Sequence, residues 1–125
     1  MYTLNVTNHF WRPVVVANSA GATFTVSSGS SMQPKGPLGD ATITVPGMGE
    51  MMVHDIADRP LGGYSKATWG VLVSYKGEEA VFRYEGGGQL TITFNDLGQA
   101  TLASNGGISR VDVAAMILPG EIVAE

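Results

Sequence analysis

Hydrophobic and polar residues alternate along most of this chain. In Tyr2–Thr7 the apolar Tyr2, Leu4 and Val6 alternate with Thr3, Asn5 and Thr7. Phe24 and Val26 alternate with threonines, as do Ile43 and Val45, and the same rhythm runs through Leu90, Ile92 and Phe94. A period of two with threonine on the open positions predicts antiparallel strands that have one buried and one wet face. Other runs are more continuously apolar: PVVVAN, EMMVHDI, TWGVLVSY and AVFRYE. These read as central strands. GISRVDVAAMIL also alternates at Val111, Val113, Ala115 and Ile117, and is read as a last strand rather than a helix.

Turns separate the strands. SAG at 19–21, YKGEE at 75–79, EGGGQ at 85–89, NDLGQ at 95–99 and SNGG at 104–107 each carry Gly or Asn where a positive backbone φ is expected. The sum is an all-β, single-domain antiparallel β-sandwich of about ten short strands, spanning residues 1–125. Two longer connections interrupt the rhythm, 27–40 and 57–69. Long loops on a sheet scaffold often carry function.

Composition narrows the function. The net charge is −4, and there is no basic run to neutralise a phosphate backbone, so nucleic-acid binding is not expected. Cysteine is absent, which removes disulfides, thiolate metal sites and cysteine nucleophiles. No signal peptide and no apolar stretch of membrane-spanning length is read in the chain. GGGQL lies between strands with no following helix, so it is a hairpin turn and not a phosphate cradle.

Candidate chemistry concentrates in VHDIADRP, where His54, Asp55, Asp58 and Arg59 lie close in sequence. Successive strand residues point to opposite faces, so His54 and Asp55 are not expected to pair. There is no nucleophile elbow, no zinc-ligand spacing and no alternating carboxylate loop, so neither a catalytic residue, a metal site nor a cofactor is assigned. Met51 and Met52 must face opposite sides of a strand, placing one at an interface or in a second buried layer.

The aromatic residues outside regular strand positions are the stronger lead. Phe10 and Trp11 sit in a turn, followed by Arg12, while Tyr64 and Trp69 fall in or beside the second long connection. Gathered in one patch, Phe10, Trp11, Arg12, Tyr64 and Trp69 form a ligand-binding surface for a membrane lipid or a glycan, because amphipathic rings suit both. Arg12, Arg59 and Lys66 would favour an anionic or phosphocholine-type headgroup. The opposing reading makes Trp11 a lid on the core, its indole N–H bonded to a backbone carbonyl.

The first strand ends Leu4-Asn5-Val6-Thr7-Asn8, a short turn follows, and Val14-Val15-Val16-Ala17-Asn18 forms the second strand. This pattern resembles the start of the aegerolysins, small β-sandwich proteins of which some bind particular membrane lipids and act with a larger partner to form pores. The resemblance covers about the first thirty residues as a pattern and the remainder as architecture. The chain lacks the Trp-Gly-Lys segment expected after the second strand of that family.

Three binding readings follow, all without catalysis. The first is a module that recognises membrane lipid through its aromatic loop. The second is a lectin-type sandwich using the same rings with Asn8, Asp58 and Asn95. The third is a structural protein that forms a homo-oligomer or meets a protein partner through its sheets and methionine-rich face.

Overall fold

The computed structural model describes residues 2–34, 40–55, 68–85 and 87–111. Among these residues there are strands and turns and no helix. The strands are β1 (Thr3–Asn8), β2 (Val14–Ala17), β3 (Thr23–Val26), β4 (Ser30–Met32), β5 (Ala41–Val45), β6 (Gly49–Asp55), β7 (Thr68–Tyr75), β8 (Glu78–Glu85), β9 (Gln89–Phe94), β10 (Ala100–Asn105) and β11 (Ile108–Val111). Tyr64 and the Asp58, Arg59 and Lys66 group lie outside the described residues. So does the part of the expected last strand beyond Val111.

They form two sheets, one of order β10-β9-β1-β4 and one of order β11-β8-β7-β6-β5-β2-β3. The all-β reading therefore holds, and two sheets are consistent with a β-sandwich. Buried side chains from both sheets join one apolar cluster. Leu4, Val6, Leu90, Ile92 and Phe94 come from the smaller sheet, and Val16, Ile43, Met51, Val73 and Phe82 from the larger. Every one of the alternating positions Leu4, Val6, Leu90, Ile92 and Phe94 is fully buried. That is the expected outcome when a pleated strand places alternate side chains on one apolar face.

Three details depart from the sequence expectation. The GGGQL connection is not a hairpin turn, because β8 and β9 lie in different sheets and the chain crosses between them there. The Ser-rich connection 27–40 contains a short strand, β4, which pairs with β1 through Val6–Met32, Thr7–Ser31 and Asn8–Ser30. Three residues with little apolar content carry too weak a pattern to be seen as a strand. The sheets are also not purely antiparallel, because β1 and β9 run parallel from Thr3–Gln89 to Asn8–Phe94. Alternation reports which face a residue occupies and not which way its neighbour runs. A parallel partner needs a long crossover, and here the chain builds β2–β8 between the two strands.

Strand direction and register bring five turns to one end of the molecule: 9–13, 27–29, 46–48, 76–77 and 95–99. The start of β7 lies at the other end, where Thr68 is opposite Glu85.

Candidate functional site

The turn from β1 to β2 is built around Asn8, whose side chain is fully buried. Its Nδ2 donates to the carbonyls of Arg12 at 2.8 Å and Val26 at 3.0 Å. Its Oδ1 accepts the Phe10 N–H at 2.8 Å. The backbone is held as firmly: the His9 N–H donates to Phe94 O at 2.7 Å, and the Gly29 N–H to Asn8 O at 2.7 Å. A buried amide is stable only when its donors and acceptor are met, and here both ends are satisfied. The turn is consequently tied to β3 and β9 by hydrogen bonds as well as to its own strands.

This frame sends two neighbouring aromatics in opposite directions. Phe10 is buried, at 5% exposure, within the core cluster. Trp11 is 71% exposed. The Arg12 guanidinium carbon stands 5.2 Å from the centroid of the Trp11 ring. The Phe10 and Trp11 rings are tilted at 56°, with centroids 5.9 Å apart. Phe10 therefore caps the core and is not itself available to a ligand, while Trp11 is no lid.

The turn from β9 to β10 stands beside it. A Cβ built on Gly98 would lie 2.8 Å from Met48 Cγ and 3.3 Å from Phe10 Cε1. The 9–13, 46–48 and 95–99 turns thus pack against each other through Phe10, Met48 and Gly98. Tyr75, at the end of β7, donates its hydroxyl to Gly98 O at 2.6 Å and packs edge-on against Phe94. Asn95 Oδ1 accepts the Leu97 and Gln99 N–H groups, each at 2.9 Å. This pinned turn presents Leu97 at 64% exposure. Two large apolar side chains, Trp11 and Leu97, are therefore exposed on hydrogen-bonded turns at one end. Arg12 and Lys76 belong to the same group of turns.

The five-residue patch expected from sequence divides. Phe10, Trp11 and Arg12 form one turn, with only the last two on the surface. Trp69 pairs with Tyr84, six residues along β7 from Tyr75, so about 20 Å of extended strand separates its backbone from the Trp11 end. Tyr64 is outside the described residues. No sequence signal marks Leu97 as a surface anchor, because it follows the turn-forming Asn95-Asp96 and has no periodic neighbours. The lectin-type reading uses Asn8 and Asn95 as sugar-binding amides. Their side chains instead hold turns, so each amide is already engaged.

The histidine cluster resolves differently from its sequence neighbourhood. His54 Nδ1 lies 2.8 Å from Asp40 Oδ1, both half-exposed. The β5–β6 hairpin register brings them together, following Ala41–Val53 and Thr42–Met52 by one step. No group of three or more metal-ligating side chains occurs among the described residues. Met51 and Met52 do face opposite sides, at 1% and 43% exposure. No family model, no curated protein and no solved structure was found to match this chain.

Proposed function

We propose that this chain is a non-enzymatic binding module, a single-domain β-sandwich that docks on a membrane lipid surface through Trp11. The observation that carries the reading is Trp11 at 71% exposure on a turn fixed by the buried Asn8 side chain. A rigid turn loses little conformational freedom when it binds. Indole rings settle at the boundary between headgroups and acyl chains, with an apolar body and a polar N–H. Leu97 supplies a second apolar anchor at the same end. Arg12, beside the Trp11 ring, favours an anionic headgroup and contributes about 1 kcal/mol when close to one. The likeness of the first two strands to aegerolysins points the same way.

A sugar-stacking role uses the same ring and is the competing reading. The Arg12 guanidinium over the Trp11 ring at 5.2 Å engages one face, which favours a lipid surface over a stacked sugar.

The test is tryptophan emission and co-sedimentation with vesicles of phosphatidylcholine alone and of phosphatidylcholine with phosphatidylserine. The chain has two tryptophans, so Trp11→Phe isolates the contribution of the turn. Emission that is red in buffer and moves to the blue with anionic vesicles, in the native chain and not in Trp11→Phe, supports the reading. Unchanged emission and no co-sedimentation with either vesicle overturns it and turns attention to a glycan panel.

A further inference from the structure

The larger sheet has an inner face, which shares the core with the smaller sheet, and an outer face. On β8 the inner positions are Ala80, Phe82 and Tyr84, which join the core cluster. Val81 lies between them and points outward, opposite Leu72 of β7. Val81 is nevertheless buried, at 1% exposure, and does not belong to the core cluster. An outward valine on a solvated sheet face keeps contact with water, so burial this complete requires a layer of chain above it.

The burial is graded along one row of paired residues. His54, Leu72, Val81 and Val111 stand side by side on β6, β7, β8 and β11. His54 is exposed, Leu72 half-buried, Val81 buried and Val111 half-buried. Elsewhere on the same face Thr44, Glu50 and Met52 are exposed. The cover is therefore centred on β8 and does not reach β6. Every described strand belongs to one of the two sheets, so among the described residues no strand is left to lie across this face.

Two stretches outside the described residues join the strands of this row. Residues 56–67 connect β6 to β7, and residues 112 onward follow β11. The first leaves β6 beside the exposed His54 and carries Asp58, Arg59, Lys66 and two glycines. The second leaves from Val111, the direct neighbour of Val81, and residues 113–118 read Val-Ala-Ala-Met-Ile-Leu, without one polar side chain. Such a run gains most by covering an apolar face, and Leu72, Val81 and Val111 provide one. Two strand spacings, about 10 Å, separate Val111 from Leu72. Six extended residues span about 20 Å, so the run is long enough to cross.

We propose that residues 113–118 form an apolar strap across the outer face of the larger sheet, over Val81 and between Val111 and Leu72. The strap is separate from the Trp11 turn and independent of the membrane reading.

The test is thiol reactivity in the full chain, which has no cysteine of its own. Val81→Cys and, as an exposed reference on the same face, Thr44→Cys are each reacted with dithiobis(nitrobenzoate). The Val81→Cys thiol should react about tenfold more slowly than the Thr44→Cys thiol, at any protein concentration, because reaction requires access to the thiolate. Adding Met116→Asp, Ile117→Asp and Leu118→Asp should bring the two rates together. Adding Leu61→Asp and Tyr64→Asp should leave the Val81→Cys thiol protected. If the charged variants fail to fold, methyl NOEs in the unsubstituted chain decide, and Val81 should show them to residues 113–118. Equal rates for the two thiols, release by the Leu61 and Tyr64 substitutions, protection that grows with protein concentration as a second copy would give, or Val81 NOEs to other segments only overturns the proposal.

Discussion

Asn8 and Trp11 occupy opposite sides of one turn: the first has no accessible surface, and the second is 71% exposed. The buried amide donates to the carbonyl of Arg12, the residue directly after the exposed indole. The exposure of Trp11 is thus held in place by a polar group in the interior, and the two residues should respond to mutation in contrasting ways.

Asn8→Ala should cost about 2–4 kcal/mol, because it leaves a buried N–H and two carbonyls without their partner. Urea denaturation checks this through a lower midpoint at unchanged slope. A loss below about 1 kcal/mol would mean that water replaces the amide and that the turn is not held as described.

The aromatic pair gives a second contrast. Phe10→Ala should cost about 3–5 kcal/mol by emptying a buried site. Trp11→Ala should change stability by no more than about 0.5 kcal/mol, as exposed substitutions do. Thermal or urea unfolding of both variants side by side tests the opposite orientations directly. Equal losses would sink them.

Gly98 has φ +78°, and an added Cβ would press on Met48 Cγ at 2.8 Å. Gly29 has φ +81° with nothing within 4 Å of its Cβ position. Both replacements by alanine carry the backbone cost of a left-handed residue, about 1–2 kcal/mol. Gly98→Ala should exceed Gly29→Ala, since Met48 must also move. A reversed order would show that the packing of the 46–48 and 95–99 turns is not as tight as described.

Burial raises the Tyr75 phenol above its ordinary value near 10. The folded chain then keeps a proton that the unfolded chain releases. The corresponding stability is fully present below about pH 10 and is lost as pH rises through the higher folded value. Tyr75→Phe should lose about 1 kcal/mol near neutrality with the hydroxyl bond to Gly98 O. The gap between native and variant midpoints should narrow above pH ~10. A gap that widens with pH would reverse the assigned direction.

The Asp40–His54 pair is half-exposed on both sides, so His54→Gln should alter stability by less than about 1 kcal/mol. A larger loss in urea denaturation would assign the pair a structural role beyond its surface position.

Which residues share a face is written in the local pattern of the chain. Leu4, Val6, Leu90, Ile92 and Phe94 were legible as core because a pleated strand alternates its side chains by local geometry alone. The opposed exposures of Met51 and Met52 follow from the same rule. The repeated turn Asn-x-x-Gly, at Asn18–Gly21 and Asn95–Gly98, is also local: the amide oxygen accepts N–H groups two and four residues ahead, and the glycine takes positive φ. Even the Asp40–His54 pair was within reach, because a hairpin closing at Val45–Gly49 fixes every partner beneath it. The parallel β1–β9 pairing, the meeting of Phe10 with Met48 and Gly98, and the separation of Trp11 from Trp69 come only from long-range packing. Within a turn no period assigns faces, so Phe10 and Trp11 look alike until distant strands settle which ring has a core to enter and which meets solvent.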